Sequence, residues 1–229
     1  MHSQSCTVSR FLGFFGGPLV LAITAGLAIA QSDSPKKTRP NKAFYAKIAS
    51  AIKEGKTSET AMAGMGDMPF RQVWRRGGYL VGLDISYGAF AGSKLMIRSV
   101  RPIFQTAEGR KNGTLRGVPS AVSRRIVAKP GYAVGGITVS SGLNVDGLSI
   151  TFMRLDGDTL QPDDSYKSAW YGSKGLGEGK KLGGDGALIL GIFGRTSGLR
   201  LKDHELRGLG LIEMGEKAQP SRRRRDRNR

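Results

Sequence analysis

Cysteine and histidine are both scarce in this chain of 229 residues, and their scarcity excludes several kinds of chemistry. Cys6 is the single cysteine, and His2 and His204 are the only histidines. Because Cys6 and His2 lie in an N-terminal segment that we expect to be removed, the mature chain excludes disulfides, thiolate catalysis and cysteine-bound zinc. The remaining His204 has Asp203 and Glu205 as neighbours, but adjacent residues of a strand point to opposite faces. Two carboxylates that meet in space could still hydrolyse a glycoside, but the sequence singles out no such pair, and we predict that the protein is not an enzyme.

Acidic residues are also few, whereas glycine is abundant. The chain has 18 acidic residues against 36 basic ones, a net charge of +18, and it contains 34 glycines. That glycine content is about twice the usual share of roughly 7 %. With 39 % hydrophobic residues the chain can form one core, and short apolar runs separated by glycine are typical of short strands joined by tight turns. The composition favours a single, turn-rich β domain.

The N-terminal segment has no charge over Phe11–Ala30, which follows the single cation Arg10. It ends in Ala28–Ala30, a pattern of small residues at which signal peptidases cut. We predict a signal peptide over residues 1–30, a mature N-terminus at Gln31, and a secreted, periplasmic or cell-surface location. A retained membrane anchor is the alternative, because about 20 apolar residues span a bilayer and the cations at 36–39 favour the inside.

Both flanks of the domain are predicted to be polar. Residues 31–68 are predicted as a linker holding one short helix at about 41–54, with Asn41 as its N-cap and Gly55 at its end. Apolar residues four apart predict the face that packs on the domain: Phe44, Ile48 and Ile52. A helix lying on a membrane surface is the alternative. Residues 216–229 are predicted as a disordered basic tail, since six of the last nine residues are arginine.

Between these flanks, over residues 69–215, two short patterns each occur three times. The first is an alternation of apolar and small residues, typical of a half-buried strand, and its copies centre on Gly82, Gly135 and Gly191. The second reads apolar, charged, small, apolar, and predicts a partner strand: Ile97–Val100, Val145–Leu148 and Leu206–Leu209. An extra residue at Gly135-Gly136 predicts a β-bulge. Three strand pairs predict an all-β, three-fold β-prism of short antiparallel sheets.

Parts of these copies resemble the jacalin-type lectins. The runs Leu190–Gly198 and Leu206–Leu211 look like the closing segment of that family, and Ile97–Thr106 is similar to one of its internal strands. The resemblance implies a three-fold β-prism that binds sugars without catalysis. The run Gly131–Arg154 also resembles an uncharacterised domain that recurs in secreted bacterial proteins, and this second resemblance implies no activity.

One position departs from the jacalin-type pattern. In that pattern an acidic residue directly before the small residue of the last strand accepts sugar hydroxyls, but Arg207 stands there in this chain. Asp203 lies four residues earlier and substitutes only if the loop takes a different path. Arginine offers hydrogen-bond donors alone and grips a carboxylate with two parallel bonds. The departure predicts a preference for acidic saccharides, such as uronic or sialic acids.

Aromatic and acidic residues ahead of the third copy supply the rest of the predicted site. Sugars are bound by planar polar partners together with an aromatic face. The most ligand-like cluster of the chain is Asp163, Asp164, Tyr166, Trp170 and Tyr171. We predict that Asp185, or Trp170 and Tyr171, line the same end of the prism as Arg207. The alternative is that the aromatics belong to the core or a hairpin, and the aspartates to turns.

The sequence thus predicts a secreted, non-enzymatic, lectin-like carbohydrate-binding module without cofactor or metal. Its predicted partners are glycans or anionic cell-envelope polymers, and a homo-oligomer is left open. No specific nucleic-acid partner is predicted, because no recognition helix or aromatic RNA platform is visible. The alternative function is a secreted surface or scaffold protein that its basic charge attaches to anionic envelope polymers.

Overall fold

Strands form most of the structure, a computed structural model that describes residues 40–90, 94–175, 179–198 and 204–215. The predicted signal peptide, the start of the predicted linker and the predicted basic tail lie outside these described residues. Within the described ranges, no helix is long and apolar enough to cross a membrane. The elements in chain order are α1 (Lys42–Lys53), β1 (Thr57–Glu59), β2 (Ala63–Gly64), β3 (Met68–Val73), β4 (Gly78–Phe90), β5 (Lys94–Thr106), β6 (Gly109–Asn112), β7 (Arg116–Gly117), β8 (Val122–Val127), β9 (Tyr132–Ser141), β10 (Val145–Asp156), β11 (Thr159–Lys167), β12 (Tyr171–Gly172), β13 (Lys180–Gly183), β14 (Ile189–Thr196) and β15 (Leu206–Met214).

In the described part of the chain, the strands form three antiparallel sheets of five strands each. The first sheet has the order β6-β5-β4-β8, with β7 beside β5, and the second has the order β11-β10-β9-β13, with β12 beside β10. The third has the order β1-β15-β14-β3, with β2 beside β15. A hairpin of two long strands therefore lies at the centre of every sheet. Three such sheets around a common core make a three-fold β-prism, which confirms the predicted fold class.

The core lies where the inner faces of the three sheets meet. Along β4, Leu83 and Ile85 are 0 % and 1 % exposed, while Asp84 between them is half-buried. This alternation is the two-residue period of a strand that has one face in the core. Every sheet contributes fully buried residues: Ile97 and Ile103 from the first, Leu148 and Ile150 from the second, and Ile192, Leu209 and Leu211 from the third.

All three central hairpins carry a β-bulge at the same place. The bulged residues, which have no partner in the second strand of their hairpins, are Val81, Gly135 and Leu190. Pairing resumes at Gly82, Gly136 and Gly191. The bulge predicted for the second copy is therefore present, but it is common to all three copies. The glycine equivalent to Gly82 and Gly191 is Gly136, and the sequence alignment on Gly135 was one residue off.

A close approach by the neighbouring outer strand explains why two of these positions are glycine. A Cβ atom at Gly82 would lie 2.2 Å from the carbonyl oxygen of Ile126 in β8. A Cβ atom at Gly191 would lie 2.0 Å from the carbonyl oxygen of Gln72 in β3. Both distances are far shorter than van der Waals contact, so only glycine fits at either position.

The helix α1 lies where the sequence predicts it and packs on the prism. The side chain of Asn41 accepts a hydrogen bond from the backbone N–H of Phe44 at 3.0 Å, which satisfies one free donor of the first turn. The buried face differs slightly from the prediction, because Phe44 and Ile52 are only half-buried. The ring of Tyr45 stacks on that of Tyr79 in β4, with centroids 6.3 Å apart. The buried residues of the helix are Tyr45, Ile48 and Ala51.

Residues that the sequence analysis placed in the linker also belong to the prism. Both β1 and β2 pair with β15, so the third sheet begins at Thr57 and not at Pro69. Strands of two and three residues are too short to show a two-residue period, which is why the sequence pattern did not reveal them. The third sheet therefore combines strands from the two ends of the described chain.

The two ends of the prism are distinct. The strand ends that lead into the central hairpin turns lie together, at what we call the hairpin end. Two contacts between sheets show this: Arg98 in β5 bonds Glu205 ahead of β15, with Nε to Oε2 at 3.2 Å, and Ser173 donates its backbone N–H to Leu95 at 3.0 Å. Helix α1 packs near the start of β4, at the opposite end, which we call the helix end.

Candidate functional site

The second repeated pattern places one charged residue from each sheet at the hairpin end: Arg98 in β5, Asp146 in β10 and Arg207 in β15. The small residue that follows each of them pairs with a glycine of a two-residue strand: Ser99 with Gly117, Gly147 with Gly172, and Gly208 with Gly64. The φ angles of these three partner glycines are 94°, 81° and 86°, in the left-handed region. The three charged residues therefore occupy one structural position, repeated in each sheet.

At the first of these positions, Arg98 is used within the protein. Its guanidinium forms two hydrogen bonds with the carboxylate of Glu205, one of them from Nε to Oε2 at 3.2 Å. The side chains of Arg98 and Glu205 are only 19 % and 5 % exposed. This bidentate pair joins the first sheet to the third, so Arg98 contributes to the architecture and is not available to a ligand.

At the third position, Arg207 is half-buried next to a second arginine. Arg195 pairs across the hairpin with Gly208 and donates a hydrogen bond to the carbonyl oxygen of Gly66 at 3.1 Å. The Nε atom of Arg207 is buried and has no hydrogen-bond partner among the described residues. None of the ion pairs within the described ranges involves Arg207 or Arg195. Two arginines without a carboxylate partner among the described residues therefore lie side by side at this end of the third sheet.

At the second position, Asp146 has glycines on both sides of its carboxylate. A Cβ atom at Gly142 would lie 3.6 Å from Oδ2 of Asp146, and one at Gly175 would lie 3.4 Å from it. No ion pair within the described residues involves Asp146. The structure thus presents a half-buried carboxylate, which only accepts hydrogen bonds, between two residues that have no side chains.

Unsatisfied polar atoms lie on residues near Asp146. Among the described residues, Asn144 Oδ1, Trp170 Nε1 and Ser173 Oγ are buried without a hydrogen-bond partner. Ser173 is held beside Asp146, because its backbone N–H donates to the carbonyl oxygen of Asp146 at 3.0 Å. Buried polar groups of native proteins are nearly always paired, so each exception calls for a water or ligand that completes it. Three such atoms on residues near Asp146, in the chain or through the sheet, make this part of the hairpin end the candidate binding site.

Two of the predicted site residues join Asp146. Tyr171 in β12 pairs with Leu148 of β10, and its ring lies 6.3 Å from that of Tyr87. Trp170 lies against Gly147, where a Cβ atom would come within 2.7 Å of Nε1. Trp170 and Tyr171 therefore lie at the hairpin end, as does Arg207 in the third sheet.

The other predicted site residues are not brought to this place. Asp185 lies at the helix end, where its carboxylate accepts a hydrogen bond from the backbone N–H of Ala187 at 3.2 Å. The next residue, Gly186, accepts one from the N–H of Leu160 at 2.8 Å. Asp185 follows β13, which runs along β9 from Val139 to Gly136 and so toward the helix end. Asp203 lies outside the described residues.

The cluster predicted around Asp163 and Tyr166 is divided by the fold. Asp164 accepts hydrogen bonds from Tyr132 and Arg154, toward the helix end, whereas Trp170 and Tyr171 lie at the hairpin end. The Tyr132 hydroxyl, and then the Arg154 guanidinium, lower the pKa of the Asp164 carboxyl. The ammonium of Lys129 lies 4.7 Å from the ring centroid of Tyr166. These groups satisfy one another within the sheet.

Asp146 is the site residue that the sequence analysis missed. It stood in the second copy of the repeated pattern as the charged residue of Val145–Leu148. The family pattern was compared only with the last copy, where Arg207 stands. A comparison of the pattern with all three copies would have shown that the acidic residue missing from the third copy is present in the second, as Asp146.

Comparisons with known proteins identify the fold. No protein-family model matches the chain, and no curated protein matches its sequence. Among solved structures, wild-type Malaysian banana lectin is 14 % identical, with 70 % of this chain and 99 % of that one covered and a TM-score of 0.50. A mannose-specific jacalin-related lectin from Morus nigra, solved in complex with mannose, is 16 % identical, with 69 % and 95 % covered and a TM-score of 0.50. The fold is therefore a β-prism of the jacalin-related type, which confirms the predicted resemblance.

Proposed function

We propose that the protein is a non-enzymatic carbohydrate-binding module whose main site lies around Asp146. The observation that carries this proposal is the carboxylate of Asp146 between Gly142 and Gly175, without an ion pair among the described residues. The jacalin-type pattern has its sugar-binding acid at the position of Arg207 in the third sheet. Asp146 occupies the equivalent position in the second sheet. The jacalin-like fold supports the same class of function.

The chemistry of this group fits a saccharide. A carboxylate accepts hydrogen bonds from two neighbouring sugar hydroxyls at once. The flanking glycines allow a sugar ring to approach the carboxylate closely, because no Cβ atom stands in the way. Trp170 and Tyr171 supply half-buried aromatic surface beside it, and Leu143, whose side chain is 77 % exposed, lies in the adjoining turn. Aromatic and apolar surface of this kind packs against the C–H faces of sugars.

We further propose a preference for acidic saccharides. Arg207 and Arg195 lie at the hairpin end of the third sheet, and both offer only hydrogen-bond donors. A uronic or sialic acid unit has a carboxylate that a guanidinium holds with two parallel bonds. A glycan whose neutral sugar units bind at Asp146 would form a second contact if it also carried an acidic sugar unit that reaches these arginines.

A glycan array tests both parts of the proposal. The protein should be applied at moderate salt with residues 221–229 deleted, so that the arginine-rich tail does not bind anions unselectively. We expect Arg207→Ala to weaken binding of acidic glycans about tenfold, through loss of a charge-assisted contact, and to leave neutral glycans unchanged. Unchanged acidic binding would contradict the acidic preference. Absence of binding to any saccharide would favour the alternative, a scaffold attached to anionic envelope polymers by its charge.

We also propose that the protein is exported and loses residues 1–30. The uncharged run Phe11–Ala30 and its ending in Ala28–Ala30 support this, since they are typical of a signal peptide. N-terminal sequencing of the exported protein should begin at Gln31. A sequence that begins at Met1 would instead indicate a retained anchor.

A further inference from the structure

A second polar surface lies on the outer face of the first sheet, away from Asp146. Two rows of side chains cross the strands β8, β4 and β5 there. One row is Arg125, Asp84 and Arg101, and the other is Ser123, Ser86 and Ser99. The residues alternating with them in β4, Leu83 and Ile85, are buried in the core, which places both rows on the outer side.

The loop before β8 converts this face into a cleft. The backbone N–H of Ser120 donates to Oγ of Ser86 at 3.1 Å, and Oγ of Ser86 lies 2.6 Å from Oγ of Ser99. Leu115 and Pro119 form the wall opposite the sheet. The cleft has a volume of about 380 Å³, which lies within the size range of small-ligand sites.

Positive charge dominates the cleft. Arg101, Arg124 and Arg125 line it, against the single carboxylate of Asp84. That carboxylate only partly neutralises them, because its Oδ1 is 3.7 Å from Nε of Arg125, and the guanidinium of Arg125 bonds Asn112 instead, at 2.9 Å.

Among the three arginines that line the cleft, Arg101 is the one with a buried, unpaired donor. Its Nε atom is buried and has no hydrogen-bond partner among the described residues. A buried donor without an acceptor is unfavourable, and it becomes favourable when an anion supplies the acceptor. The hydroxyl of Ser123 is exposed one row away and can turn its proton toward the same anion. Ser86 and Ser99 are buried beneath it and bond each other.

We propose that this cleft binds a tetrahedral oxyanion, the sulfate or phosphate ester group of a substituted saccharide. Arg101 and Arg125 hold the anionic oxygens, and the exposed hydroxyl of Ser123 donates to a remaining one. The volume admits the sugar ring that carries the ester. This site is separate from the one proposed around Asp146, and it would let one prism contact a charged polymer at two places.

Isothermal titration calorimetry on the full-length chain tests the site. The probes are inorganic sulfate, inorganic phosphate, glucose 6-sulfate and glucose 6-phosphate, so that the free anion is distinguished from the ester and sulfate from phosphate. We expect the esters to bind more tightly than the free anions, and Arg101→Gln to weaken binding about tenfold. The matched control is Arg110→Gln, an exposed arginine of β6 outside the cleft that removes the same charge, and it should change affinity less than about twofold.

A variant that binds the oxyanion more tightly provides a test that a misfolded protein could not pass. Among the described residues Asp84 is the only carboxylate that lines the cleft, so Asp84→Asn should strengthen oxyanion binding several-fold. Equal effects of Arg101→Gln and Arg110→Gln would show that general charge and not the cleft attracts the anion. Unchanged affinity in Asp84→Asn, or free anions that bind as tightly as the esters, would also overturn the proposal. Asp146→Asn should leave oxyanion binding unchanged, which separates this site from the proposed sugar site.

Discussion

Asp146→Asn should abolish most binding of neutral glycans while the fold stays intact. The amide has nearly the same shape as the carboxylate, but it replaces one acceptor oxygen with a donor and removes the charge. Hydrogen bonds to charged groups contribute about 1.5–3 kcal/mol each, so the loss should be about 3 kcal/mol, or roughly 100-fold in Kd. The measurement is calorimetric titration with the neutral glycan that gives the strongest array signal.

Asp163→Asn is the matched control for this experiment. Asp163 is an exposed residue of β11, and its replacement makes the same chemical change outside the hairpin end. Its effect on Kd should stay below about twofold, as is usual for exposed charges. If Asp146→Asn and Asp163→Asn bind sugar equally well, the sugar site does not involve Asp146. Circular dichroism of both variants should match that of the unmodified protein.

Arg98→Ala is expected to be the most destabilising replacement of a charged residue. It leaves the carboxylate of Glu205, whose side chain is only 5 % exposed, without its cation. Breaking a buried ion pair from one side costs about 3–5 kcal/mol, because the remaining charge stays buried and uncompensated. The loss should appear in urea unfolding as a lower midpoint at an unchanged slope.

Two further variants check the cause of this loss. Arg154→Ala breaks the pair with Asp164, in which both side chains are more than 40 % exposed, and should cost at most about 1 kcal/mol. Combining Arg98→Met with Glu205→Gln removes both charges and should recover most of the lost stability. A cost for Arg98→Ala no greater than that for Arg154→Ala would show that the pair does not hold the sheets together.

The fold was largely readable from the sequence because each central hairpin repeats the same two patterns. Alternation around Gly82, Gly136 and Gly191 reflects one face in the core and a bulge common to all copies, although the sequence alone aligned Gly135 in place of Gly136. The two- and three-residue strands carried no such signal, since their pairing depends on a hairpin distant in sequence. The buried face of α1 likewise depends on Tyr79, which the helix itself does not reveal.

The site was less predictable, because it depends on which end of a sheet each residue reaches. Asp185 and Trp170 looked alike as candidates near the third copy, yet they lie at opposite ends of the prism. Tyr166 and Trp170 are four residues apart in the chain. Because the chain runs along β10 between them, Tyr166 lies beside Phe152, whereas Trp170 lies beside Gly147, nearer the hairpin end. Only the pairing of Gly147 with Gly172 brings Trp170 and Tyr171 to Asp146.

The third sheet also sets the order in which the prism can be completed. The first two sheets are each made of one continuous stretch, residues 78–127 and 132–183, so every strand of each sheet finds its partners within that stretch. The third sheet pairs Thr57 with Met214, and such non-local pairing forms slowly. In the described part of the chain β1 and β2 pair with no strand but β15, so neither is held in a sheet until that strand has joined them. Closure of the prism is therefore a late event, made at the C-terminal end of the described chain.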